Sequence, residues 1–305
     1  MIYRYFVFGL YVESEIEIPQ FLPAESKGKA DVQIFLRETP EHILKDLKKR
    51  GATYELAPSE FLLGLENIAR YHVVNGNKIF ITLKEKTDLR DVSLFLVGSC
   101  FGALLLQRGT LPLHASGFVY DDQAVLISGL SGMGKSTTAN AIRLKGYKLI
   151  TDDICPIEMT DGYPYAIPGY PQSKLWEDAL ENLNIEFENL PKVRKKLKKR
   201  IVRMPNSFEM NPKPIRCIYI LGIHQKPTVE LQEIDGADRF IAIKNMTYRN
   251  YFIEGLESYP AHFKNCISIA NHSVPMKYLI RPSEFSVPEV VNTILEDIEK
   301  INIPL

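Results

Sequence analysis

Short apolar runs separated by turn residues fill the first part of the chain. Residues 3–12 are rich in aromatic and β-branched side chains, and residues 30–36 read ADVQIFL, close to a period of two. Runs at 71–74 and 78–83 flank Asn75-Gly76-Asn77, where Asn and Gly tolerate positive φ, so the pair predicts a hairpin. Residues 1–88 are therefore expected to form a small β-rich domain. They carry no catalytic constellation, and the alternative use for them is docking a protein or peptide.

The pattern then changes. Residues 91–107 predict a mostly buried helix ended by Arg108-Gly109-Thr110. Its uncharged stretch, 93–106, is shorter than the ~20 residues that cross a bilayer. Residues 113–120 and 124–128 read as strands around the turn Asp121-Asp122. A glycine-rich loop follows, then a helix over 135–144 with Gly146 past its end, then a strand at 148–151. This succession is a βαβ candidate. Near the C-terminus Pro288 suits a first helical turn, and Val290, Val291, Ile294, Leu295, Ile298 and Ile301 mark one apolar helical face. The expected class is α/β, divided into residues 1–88 and 89–305.

Composition narrows the function. Lys+Arg and Asp+Glu are both 37, so no global field draws the chain to nucleic acid or an anionic membrane, and neither partner is expected. The 45% hydrophobic and 24% charged residues describe a globular chain with a core, not a disordered one. Cys100, Cys155, Cys217 and Cys266 lack metal or redox spacing. Reduced thiols are expected. The N-terminus lacks the basic region and cleavage site of a signal peptide. The expected location is the cytoplasm, and a homo-oligomer is compatible with all of this.

Gly129-Leu130-Ser131-Gly132-Met133-Gly134-Lys135-Ser136 fits G-x-x-x-x-G-K-[ST] at every fixed position. Glycines let backbone N–H groups approach phosphate oxygens without a Cβ in the way. The helix N-terminus adds partial positive charge. Lys135 reaches the β- and γ-phosphates, and the Ser136 hydroxyl is an oxygen ligand of the kind Mg²⁺ prefers. A chance glycine-rich turn is the alternative. The motif, however, follows the strand AVLIS and opens a helix, as its chemistry requires.

Thr151-Asp152-Asp153 closes the next strand. At a sheet edge where strand ends converge, one carboxylate holds Mg²⁺ and the other accepts a hydroxyl proton. A helix cap or turn pair is the plainer use of two aspartates. His114 lies in the strand before the one that leads into the loop, either near the reaction or as a packed or surface histidine.

Together these residues resemble a known family. The run LPLHASGFVYDDQAVLISGLSGMGKSTTANAIRLKGYKLITDDICPI is similar to the catalytic core of HPr kinase/phosphorylase, most closely over residues 113–157. Three motifs agree in order and spacing. That resemblance implies a P-loop kinase core of the HPr kinase and phosphoenolpyruvate carboxykinase type. The family's E-[IV]-R-G-x-G signature, tied to its subunit contact and phosphorylase function, has no copy here. The segments YVESEIEIPQFLP, ADVQIFLRETP, LFLVGSCFGALLLQRGTLPLHASG and GYPQSKLWEDALENL resemble the HPr-kinase-like proteins found with lasso-peptide biosynthesis.

The resemblance implies a Mg-ATP-dependent kinase acting on a serine hydroxyl of a peptide or protein, with the C-terminal serine of a lasso-peptide precursor as acceptor. It implies ATP phosphates on Gly129, Ser131, Gly132, Met133, Gly134, Lys135, Ser136 and Thr137. Lys135 neutralises developing charge, Ser136 and Asp153 hold Mg²⁺, Asp152 is the base and His114 sits beside the transferred phosphate. The two aspartate roles are interchangeable at this stage. A small-molecule kinase and a nucleotide-gated peptide-binding module without transfer remain the alternatives.

Three later features stay open. Lys174 and Trp176, the only tryptophan, lie in YPQSKLW, read as a substrate-side loop or as a helix start with Trp176 as packing anchor. Residues 192–203, KVRKKLKKRIVR, hold eight basic residues in twelve. They read as a solvated helical face, or as a lid or dock for an acidic peptide or nucleotide phosphates. Arg249 is a surface residue or a further cation for the transition state.

Overall fold

The computed structural model describes residues 1–25, 28–43, 45–284 and 286–301. The chain divides into two compact units, one of residues 1–112 and 248–265, the other of residues 113–247 and 266–305. The class is mixed α/β with several sheets.

The first unit is built on an eight-stranded sheet. Residues 3–12 form two strands, Tyr3–Val7 and Leu10–Ser14, because Phe8 and Gly9 take positive φ and turn the chain between them. The expected hairpin joins Ala69–Val74 to Lys78–Leu83 antiparallel, with Asn75 at φ 53° and Gly76 at φ 62° in the turn. Alternating positions of these strands bury Tyr71, Val73, Ile79 and Ile81.

The helical run Leu89–Gln107 is longer than its uncharged stretch promised. It has 19 residues and mean hydropathy 1.7, enough by length and composition to cross a membrane, yet 72% of its window is buried inside the protein. A π-helical segment, Leu96–Cys100, joins its two α-helical ends. Phe101 meets Phe8 at 5.7 Å and Phe21 at 5.4 Å, and Tyr71 donates to the Val92 carbonyl. This packing is why the division falls at 112/113 and not at the expected residue 88. Residues 248–265 also belong here: Phe252 packs against Phe61 with ring centroids 4.8 Å apart, and Lys49 pairs with Glu254.

In the second unit the strand Gln123–Gly129 lies between two neighbours. Ala115–Tyr120 pairs with it antiparallel, and Lys213–His224 pairs parallel. Leu149–Asp152 pairs antiparallel with Ala115–Tyr120. The expected βαβ unit is thus modified. Its two strands run the same way but have an antiparallel strand between them. The cause is local: Asp121 and Asp122 both take positive φ and fold 115–120 back beside 123–129. The carboxyl ends of two strands and the amino end of the third meet at one sheet edge.

Behind that edge, Phe118, Val125, Ile127, Leu149, Tyr219 and Leu279 form a core with Ala139 and Ile142 of the helix Lys135–Leu144. The helix Val287–Lys300 adds Val290, Val291, Ile294 and Ile298, the apolar face expected from the sequence.

Residues 192–203 are not a helix. Gln172–Trp176 and Lys199–Arg203 form a two-stranded antiparallel ribbon. Ile201 and Val202 favour extended backbone, and Val202 packs with Leu175 and Leu180 in a small core. Trp176 ends its strand, and the helix Glu177–Asn182 starts after it. All four cysteines are buried free thiols.

Candidate functional site

The glycine loop leaves the strand Gln123–Gly129 with Gly129 at φ 141°, where a Cβ would sit 3.1 Å from the Leu221 carbonyl oxygen. Only glycine fits there. Gly132 and Gly134 also take positive φ, and Gly134 begins the helix Lys135–Leu144 without a side-chain cap. The N–H groups of the first turn therefore have no intrahelical acceptor, and their dipole favours an anion at this end.

Lys135 is 6% exposed. Its Nζ donates to the carbonyls of Gly129 at 2.8 Å and Leu130 at 3.1 Å. Burial pushes its pKa down to about 8, against the opposing pull of Asp153 and Asp152. Arg281, buried and arriving from the strand Met276–Pro282, donates through Nη2 to the Met133 carbonyl at 3.0 Å. It thereby ties the loop to a distant strand.

Asp152 is the last residue of its strand, buried, and directly opposite Ser116 in the register. Ser116 Oγ donates to Asp152 Oδ1 at 2.5 Å. Asp153 has φ 104°, a strained conformation for a residue with a Cβ. Its N–H donates to the Ala115 carbonyl at 3.1 Å. His114 Nδ1 is 2.9 Å from the Asp153 carbonyl and 3.3 Å from its Oδ1, and Lys174 Nζ is 3.5 Å from its Oδ2.

A carbonyl only accepts, so His114 Nδ1 carries the proton and Nε2 is the acceptor in the neutral ring. Burial pushes the His114 pKa down, Asp153 opposes it, and Lys135 adds to the lowering. The balance favours the neutral imidazole.

These groups line one cavity of about 300 Å³. Ser131, Gly132, Gly134, Lys135, Ser136 and Thr137 face it together with His114, Asp152 and Asp153. Gly129 and Met133 shape the loop without lining the cavity. The Ser136 hydroxyl and the Asp153 carboxylate are hard oxygen donors on the same space. Among the described residues no group of three or more His, Cys, Asp or Glu is gathered as a cage. The pair fits Mg²⁺ that takes its remaining ligands from phosphate and water.

The sequence reading missed Ser116, Lys199 and Arg281 as site residues. Arg281 is 148 residues from the carbonyl it holds, so no local signal marks it. Lys199 was hidden inside the basic run, yet it lines the cavity. Burial pushes its pKa down, with Asp152 and Asp153 opposing. Ser116 sat two residues beyond His114 and only the strand register reveals its partner. Trp176 is 46% exposed at the cavity rim and is no packing anchor; the Lys199 ammonium lies over its ring, 5.6 Å from the centroid. Arg249 belongs to the first unit, stacked on Tyr248 and Tyr251, and does not line this cavity.

No family model matches the chain, and no curated protein matches it. Among solved structures, the HPr(Ser) kinase/phosphatase from Coxiella burnetii is similar over 62% of this chain and 96% of its own, at 13% identity and a TM-score of 0.34.

Proposed function

We propose that the protein is a Mg-ATP-dependent phosphotransferase with an alcohol acceptor. The observation that supports this most is the meeting of the glycine loop, Lys135 and the Asp152-Asp153 pair in one cavity, from separate strands of one sheet. Phosphoryl transfer asks mainly for positioning and charge, and this set offers both.

The first-turn amides and Lys135 hold and orient the phosphates of the donor. Asp152 Oδ1 is held by Ser116, which leaves Oδ2 to accept the proton of the substrate hydroxyl. The hydroxyl oxygen forms the new bond to the γ-phosphorus, the bond from that phosphorus to the β-phosphate oxygen breaks, and ADP leaves with the electron pair. Ser136 and Asp153 would hold Mg²⁺, which neutralises charge on the phosphate oxygens when bound. His114 fixes the Asp153 backbone through Nδ1.

The acceptor we propose is a serine hydroxyl on a peptide or protein, with the C-terminal serine of a lasso-peptide precursor as the specific case. The sequence resemblance alone supports that choice. Incubation with Mg-ATP and serine-ended peptides, beside a panel of hydroxylated metabolites, tests it by mass spectrometry. A gain of one phosphate on a peptide, lost in Asp152→Asn, is the expected result. Gain on a metabolite makes it a small-molecule kinase. Nucleotide binding with no gain on anything makes it a binding module.

A further inference from the structure

The ribbon of Gln172–Trp176 and Lys199–Arg203 has two chemically different faces. Trp176 pairs with Lys199 and Lys174 pairs with Ile201, so strand alternation puts these four side chains on one face. The other face carries Leu175 and Val202 into a small core and sends Arg200 to Glu177 at 2.7 Å. The first face looks onto the carboxylates, since Lys174 Nζ is 3.5 Å from Asp153 Oδ2 and both Lys199 and Trp176 line the same cavity.

This face adds two ammonium groups to a cavity whose donor phosphates already have the loop amides and Lys135. An in-line transfer brings the acceptor in from the side away from the leaving ADP, beside the carboxylate that takes its proton. The two lysines stand beside that carboxylate pair. A lysine is a compact point charge suited to a carboxylate or phosphate. The Lys199 ammonium lies over the Trp176 ring, 5.6 Å from its centroid, and this cation–π contact fixes where that charge stands beside the cavity.

We infer that the Lys174, Trp176 and Lys199 face of the ribbon is an oxyanion site for the acceptor, which carries a carboxylate or phosphate close to its reacting hydroxyl. The inference rests on the phosphotransferase reading and adds to it the residues that read an anionic group on the acceptor.

Trp176 is the only tryptophan, so its fluorescence reports directly on this face. The whole protein is titrated with N-acetylserine, with the phosphate ester of N-acetylserine amide, and with neutral N-acetylserine amide, each with and without Mg-ADP. A change in emission with either anion but not with the neutral amide is expected. The anion that responds identifies carboxylate or phosphate as the group read. Lys199→Met, which keeps the apolar stem, should weaken that response at least tenfold and shift Mg-ADP affinity less than twofold, and Lys199→Arg should restore it in part. Equal response to the neutral amide, or no response to either anion, overturns the site. So does a loss of Mg-ADP affinity in Lys199→Met as large as the loss of anion affinity, which would make Lys199 part of the nucleotide site. Failure to bind Mg-ADP at all would count against the phosphotransferase reading, and the titrations without nucleotide would still decide the anion site.

Discussion

Lys135 shows how one side chain is tuned by its surroundings. Burial with only two carbonyl acceptors disfavours its charge, while Asp152 and Asp153 favour it. A triphosphate in the loop would tip that balance strongly toward the ammonium. Lys135→Ala should therefore cost roughly 3 kcal/mol of transition-state stabilisation, on the scale of losing one preorganised donor. Turnover measured beside nucleotide affinity checks it, and wild-type turnover would remove Lys135 from the chemistry. Ser116→Ala tests the support of Asp152 as the proposed base. It removes the 2.5 Å donor to Asp152 and should lower kcat about tenfold or more with nucleotide affinity unchanged, because the carboxylate loses its fixed orientation.

The same scale shows what the sequence could and could not disclose. The glycine loop was legible because its backbone geometry demands particular residues. Ser116 and Arg281 were not, because their value comes from partners that only the strand register and a distant strand bring near. A second buried acid lies outside the site. Burial would raise the pKa of Glu55, but the Ile43 N–H, His42 and Arg50 outweigh it, so its folded pKa lies below the ordinary value. Stability from this group is present above the unfolded pKa and lost as pH falls through the folded one. Glu55→Gln should cost about 1–3 kcal/mol at pH 7. Its Tm deficit should shrink as the pH is taken down through the acid range where the wild type protonates.

Neighbouring elements help to hold the loop, beside the bonds that Lys135 makes to the Gly129 and Leu130 carbonyls. The loop begins at Gly129, pressed against Leu221, and is tied at Met133 by Arg281 from another strand. Arg281→Met keeps an apolar stem and removes the tie. It should weaken nucleotide binding by about 1–2 kcal/mol, near tenfold, without a matching fall in kcat. Isothermal titration with ADP measures this, and unchanged affinity would mean the loop holds its shape unaided. The ribbon teaches a different lesson. Eight basic residues in twelve pointed to a helical face because charge carries no period of its own. The deciding signal was the β-branched pair Ile201-Val202, and the burial of Val202 against Leu175 and Leu180 fixes the extended backbone. Once the ribbon is set, alternation separates Lys199, which lines the cavity, from Arg200, which turns to Glu177.

At the scale of the whole molecule, the order of residues along the chain is a poor guide to its units. The sequence pattern changes at residue 88, from strands to helix, and that change invited a boundary. Yet a change of element type is not a change of core. The helix run Leu89–Gln107 buries Val92, Leu96, Val97, Phe101 and Leu104, and Phe101 packs on Phe8 and Phe21. Residues 248–265 return to the same unit and place Phe252, 2% exposed, against Phe61 and Tyr54. A fragment of residues 1–88 lacks both contributions and leaves the inner face of its sheet bare. It should show no cooperative unfolding transition by circular dichroism, since a sheet without its covering helix buries too little apolar surface to offset chain entropy. In the full chain, Phe252→Ala should remove about 3–5 kcal/mol from the first unit through lost burial and a residual cavity. Hydrogen exchange should locate the loss in the strands Tyr54–Ala57 and Glu60–Leu65. Cooperative folding of residues 1–88 alone, or a Phe252→Ala protein as stable as the wild type, would show instead that the first strands form a self-sufficient domain, as the sequence pattern had implied.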